Sequence, residues 1–308
     1  MYEGRKMHLT IKEALEVYRN GCKAKCEMPD RRIIGKSVLA GMMIAMGAAA
    51  SSVAAHSITN VGLSRLAASV VFPVGLMMVI LLGAELFTGD CLLAIGLPER
   101  EITPLQFVRM LAMVFFGNLL GGVLLSVLIS MSGQLDYSGG LLGAYTIKVA
   151  LGKAMLTPAK AVTSGILCNI LVCAAVLMAL CAKDVAGKLL VSFFVIMLFV
   201  TAGFEHCVAN MYYITAGILA KYNPLYAAQA LESFGIGADQ LELLNVKNMI
   251  INNLIPVTIG NIIGGVCFVG LPLYYLNSDK VARKNVEAEK EETKNGSYFG
   301  KYVHGLVR

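Results

Sequence analysis

Long apolar runs separated by short polar connections dominate the chain, and their lengths are those of membrane-crossing helices rather than of helices in a soluble core. Residues 37–55 form the first run, nineteen positions without a charge. A second runs from 66 to 84, is interrupted at Glu85-Leu-Phe-Thr-Gly-Asp90, and resumes over 91–97. A third covers about 107–131 and a fourth about 161–182. A fifth, 189–220, is interrupted by Thr201-Ala-Gly-Phe-Glu-His-Cys-Val-Ala-Asn-Met211, and a sixth covers 249–276. The pattern predicts an all-α polytopic membrane protein with six transmembrane helices, the second and fifth of them broken.

Composition agrees: of 308 residues 57% are apolar and 15% charged, with a mean hydropathy of +0.69, outside the range of an ordinary soluble domain. The first 36 residues carry nine Lys or Arg and lack a long apolar core, so no cleavable signal peptide is expected. Residues 1–32 place Ile11, Leu15, Val17 and Tyr18 near helical spacing, as an amphipathic helix on the membrane surface or a solvated tail would. The membrane-spanning part then covers 33–276, and residues 277–308 form a charged C-terminal tail.

The net charge of +6 raises the possibility of nucleic-acid binding, but the basic residues gather at the chain ends without interleaved aromatics. Twenty of the 26 Lys and Arg fall on one side of the predicted topology, which puts both termini in the cytoplasm of a plasma-membrane protein and leaves no nucleic-acid partner to expect. The eight cysteines show no CxxC and lie mostly in apolar segments, which argues against zinc or disulfide chemistry. No metal or cofactor is expected.

The third span reads Gly117-Asn-Leu-Leu-Gly-Gly-Val123 and the sixth Gly260-Asn-Ile-Ile-Gly-Gly-Val266, identical at five of seven positions. The two breaks share Gly83-Ala-Glu85 and Gly203-Phe-Glu205. An odd number of spans per repeat makes the halves inverted three-helix repeats, a design that puts the binding site at midplane between discontinuous helices. Glycines alone would signal only helix packing. Glu205, His206 and Asn210 lie in the second break. Ionisable groups at membrane depth cost several kcal/mol and are usually turned toward a cavity or a partner, so the stretch reads as an ion or proton pathway or as a structural polar knot.

On these residues the chain resembles the formate/nitrite transporter family of formate, nitrite, hydrosulfide and lactate channels. The resemblance covers roughly residues 10–276 and is most specific at Glu85 to Gly89, Gly203 to Met211 and Asn253 to Gly265. It implies an aquaporin-like protomer in a homopentamer, one pore per protomer, and no enzymatic activity. It puts the family's central histidine at His206, its loop threonine at Thr88, its vestibule lysine at Lys153 with Lys148 and Lys160 nearby, and an asparagine near the centre at Asn169. It puts Phe72, Leu76 and Phe199 at a cytoplasmic-side constriction and Leu86 with Phe87 at the opposite one. Asp90 directly after Thr-Gly departs from the pattern.

The expected guest is a small monovalent anion, formate foremost, travelling with a proton through a protein otherwise surrounded by lipid. Helix N-termini at the two breaks would favour negative charge, and Thr88 can donate to an oxygen or to His206. The proton would come through His206, oriented by Glu205 or Thr88, or from vestibule water. An aquaporin-type pore lacks its paired Asn-Pro-Ala motifs here; an alternating-access transporter remains a rival within the same repeat design. A membrane enzyme finds no HExxH, GxSxG or nucleotide loop.

Overall fold

The computed structural model describes residues 8–278. The tail beyond residue 278, including most of the predicted 277–308 segment, and residues 1–7 lie outside the described residues. Among the described residues every regular element is a helix, apart from an isolated bridge between His8 and Ala182.

Two halves follow the same order. The first is α1 (Ile11–Cys26), the span α2 (Asp30–Ala55), the broken pair α3 (Val61–Leu82) and α4 (Phe87–Gly96), and the span α5 (Pro104–Met131). The second is α6 (Leu141–Ala154), the span α7 (Pro158–Cys181), the broken pair α8 (Val185–Ala202) and α9 (Cys207–Ala220), and the span α12 (Val246–Asn277). Between α9 and α12 lie the short helices α10 (Pro224–Phe234) and α11 (Ala238–Leu243).

Local signals set the helix ends. Thr10 with Glu13 and Thr103 with Gln106 form capping boxes before α1 and α5, each satisfying two N–H groups that the helix leaves open. Pro104 and Pro158 start α5 and α7, where a missing N–H costs nothing. Gly83 and Gly203 close α3 and α8 with φ of +62° and +75°, left-handed turns that a side chain rarely adopts.

The repeated glycines bring backbones together. A Cβ on Gly41 or Gly121 would strike the facing backbone of α5 or α2, and one on Gly260 or Gly264 would strike that of α7. Each half is thus locked by one intimate helix pair, α2 with α5 and α7 with α12, as small residues allow between helices without a hydrophobic driving force. The outward faces of α3 and α8 keep Leu66, Val70, Leu190, Phe194 and Leu198 exposed, apolar surface suited to lipid or to another copy.

Three features differ from the sequence pattern. α6 was not foreseen, because Gly143, Gly152, Lys148 and Lys153 dilute its apolar run; residues 221–247, which read as a polar loop, contain α10 and α11. α10 packs on α6, with the Tyr226 ring occupying the space a Cβ on Gly143 would need. And α1 does more than lie on a surface: Tyr18 donates to Gly89 O at 3.3 Å, so the helix is docked against α4.

Candidate functional site

Both breaks are held open by the asparagine of the repeated motif. Asn118 Oδ1 accepts the Phe87 N–H at 2.9 Å while its Nδ2 donates to Ser37 O and Glu85 O. Asn261 Oδ1 accepts the Cys207 N–H at 2.9 Å while its Nδ2 donates to Gly165 O and Glu205 O. Each amide therefore satisfies the first free donor of a half-helix and the last carbonyl of the linker before it, groups that would otherwise be orphaned in a low-dielectric interior. Because these leading N–H groups point at asparagines, the half-helices favour an anion through their dipoles rather than through those donors.

The breaks bring the two central residues together. Thr88 Oγ1 and His206 Nε2 are 2.8 Å apart, and both residues are buried. His206 also caps α9: its Nδ1 accepts the Ala209 N–H at 3.1 Å. A nitrogen that accepts carries no proton, so in the neutral ring Nε2 bears the hydrogen and donates it to Thr88. The Thr88 hydroxyl hydrogen is then free for an oxygen of a guest. Asn169 Nδ2 donates to Thr88 O at 3.2 Å and to Asn261 O at 2.6 Å, and the Cys173 thiol donates to Thr88 O at 3.3 Å, which fixes the threonine backbone from behind.

Of the two residues expected to orient the imidazole, Thr88 hydrogen-bonds to it and Glu205 bonds elsewhere. Its carboxylate accepts from Lys153 Nζ at 2.9 Å, from Asn210 Nδ2 at 2.6 Å and from Asn253 Nδ2 at 3.3 Å. A wide π-helical turn over Met249–Leu254 brings Asn253 to this point, a use of such turns common at functional sites. Of the three nearby lysines Lys153 faces inward, and its ammonium also lies 5.3 Å from the Tyr213 ring centre. Lys148 instead sits over Phe234.

The pair Thr88–His206 lies between two cavities. One, of about 240 Å³, is lined by Arg65, Phe72, Lys153, Phe199, His206 and Asn210 among others. The second, of about 250 Å³, is lined by Tyr18, Lys25, Leu76, Leu86, Asp90 and Lys188 among others and lies on the side of α1. Phe72 and Phe199 meet edge to face at 5.5 Å and close the first cavity, with the Phe199 and His206 rings 6.0 Å apart.

This arrangement corrects two sequence expectations. Phe72 and Phe199 belong to the cavity away from α1, whereas Leu76 lies with Leu86 on the α1 side, one helical turn along α3 from Phe72. Phe87 lines neither cavity; it packs edge to face on Phe115 at 5.4 Å behind the half-helix. The sequence reading also missed Lys25. Its signal was present: Lys25 precedes Pro29 much as Lys153 precedes Pro158, in the helix that opens each half.

Six apolar helices and two half-helices around a buried polar pair define a multi-pass membrane protein of the channel and transporter class. The family model described as formate/nitrite transporter matches residues 12–275, and the chain belongs to that family. The formate channel FocA of Haemophilus influenzae is 38% identical over 215 residues, 70% of this chain and 75% of that protein. The uncharacterized transporter YrhG of Bacillus subtilis is 38% identical over 229 residues, 74% of this chain and 77% of that protein. A solved pentameric formate channel with formate bound superposes with a TM-score of 0.73 at 32% identity, covering 80% of this chain and 97% of that one.

Proposed function

We propose that the protein is a homopentameric channel of the plasma membrane for a small monovalent weak-acid anion, formate foremost, with one pore in each protomer and both termini in the cytoplasm. The observation that carries this reading is the Thr88–His206 pair, buried between two cavities behind aromatic and leucine closures. The likeness to FocA and to a formate-bound pentamer supports the choice of guest and of assembly.

Energetics favour passage as the neutral acid. A bare monoanion moved between apolar closures loses hydration worth tens of kcal/mol in the continuum limit, whereas protonating a carboxylate of pKa ~4 at pH ~7 costs about 4 kcal/mol. Lys153 draws the anion into the outer cavity, and the acid passes Phe72 and Phe199 to hydrogen-bond with Thr88. The proton arrives with the guest from cavity water. A relay through His206 would need both ring nitrogens free, and Nδ1 is engaged by the Ala209 N–H.

Uptake of labelled formate into proteoliposomes, with and without an inward proton gradient, tests the reading. Stimulation by external acid and competition by nitrite, hydrosulfide or lactate are expected. Water flux without anion flux would sink it.

A further inference from the structure

The two breaks superimpose residue for residue in sequence: Glu85 matches Glu205, and five positions on, Asp90 stands where the second half has Asn210. The exchange of carboxylate for amide changes what each mouth offers an anion. At the outer mouth, Asn210 Nδ2 donates to Glu205 and withdraws that oxygen from competition, so Lys153 answers to one carboxylate oxygen. At the α1 mouth a carboxyl group, Asp90, stands in the place of that amide. Its Oδ1 lies 2.5 Å from Lys25 Nζ, and Glu85 Oε2 lies 2.7 Å from the same nitrogen.

The second Asp90 oxygen, Oδ2, is buried beside the Glu85 carboxylate, in a side chain that is 2% exposed and lines the cavity. Among the remaining groups, Lys36 shares the Glu85 carboxylate with Lys25 and leaves Asp90 to it. Lys36 reaches Glu85 at 3.3 Å from α2, Lys188 lines the far wall from α8, and the Tyr18 hydroxyl is committed to Gly89 O.

We infer that Asp90 is a positioning residue that makes the two mouths of the pore unequal, by holding the Lys25 ammonium that an anion arriving from the α1 side must take over. The inference rests on the anion-channel reading above. An anion reaching Lys153 finds an ammonium with one carboxylate oxygen on it; one reaching Lys25 must displace a buried carboxylate against a second negative charge, the kind of like-charge juxtaposition that weakens recruitment. Apparent affinity therefore depends on the face of approach, while the rate-determining closures stay common to both directions.

The test uses the full chain in right-side-out and inside-out membrane vesicles, with initial rates of labelled formate influx over a range of concentrations and nitrite as a second probe. The wild-type half-saturation concentration should be higher from the α1 side. Asp90→Asn, which rebuilds the outer mouth's chemistry, should lower the α1-side value about tenfold, with the opposite-side value retained. The mirror variant Asn210→Asp should raise the opposite-side value. An assembled Asp90→Asn with an unchanged α1-side value, or with both sides shifted alike, overturns the inference and leaves the channel reading standing. If Asp90→Asn does not assemble, an unchanged opposite-side value in Asn210→Asp overturns it instead. Wild-type vesicles that pass neither probe overturn the channel reading and the inference together.

Discussion

The two broken helices share a scaffold and differ in their charges. In both, a motif asparagine bridges the first N–H of the half-helix to the linker, and a left-handed glycine ends the helix before it. The glutamate of each linker binds a lysine from the helix that opens its half: Lys25 with Glu85, Lys153 with Glu205. Yet the first break supplies a threonine to the centre and a second carboxylate to its mouth, while the second supplies a histidine and an amide. Backbone support, which must be satisfied wherever the chain unwinds in a membrane, is duplicated. The groups that meet a guest are not.

If the scaffold is equivalent in the two halves, Asn118→Leu and Asn261→Leu should be equally damaging. Each leaves a buried N–H and a linker carbonyl without a partner, a loss of about 3 kcal/mol or more. Thermal unfolding of the detergent-solubilised assembly measures it. A large drop in one and none in the other would break the equivalence.

Lys153→Met is the next largest effect. It strands the Glu205 carboxylate, a change that costs about 3–5 kcal/mol for a buried pair, and should cut formate uptake at low concentration at least tenfold. Adding Glu205→Gln should restore thermal stability without restoring uptake, which separates anion recruitment from support of the break.

Phe199→Ala opens the outer closure alone. Lactate flux relative to formate flux should rise severalfold in a competition assay, because the edge-to-face contact with Phe72 is lost. Unchanged selectivity would move the filter to Leu76 and Leu86. Thr88→Val is the mildest, a near-isosteric loss of one hydrogen bond to His206, about 1 kcal/mol; formate uptake should fall several-fold, with the assembly intact by gel filtration.

The sequence carried much of this because a bilayer leaves little freedom. Spans must be long and apolar, so 37–55 or 107–131 declare themselves, and polar runs such as 85–90 and 201–211 stand out against them. His206 was legible for that reason, whereas Thr88 was placed by the resemblance to the family. What stayed hidden depends on contacts distant in the chain. Lys25 and Asp90 are 65 positions apart, and each alone reads as a tail lysine or a variant loop residue. Phe72 and Leu76 are one turn apart, so hydrophobicity could not say that the chain passes the pore centre between them. Phe87 looked like a closure by position, and the Asn118 bridge to its N–H instead accompanies a ring packed on Phe115.

The central claim is that the guest crosses between Phe199 and Leu76 as a neutral acid, its proton taken from water. The most direct measurement is formate uptake into proteoliposomes under an imposed membrane potential, with internal pH recorded at the same time. Passage as the neutral acid gives one proton entering per formate and a rate indifferent to the potential. Uptake that follows the potential without internal acidification would mean that the bare anion crosses, and would contradict it.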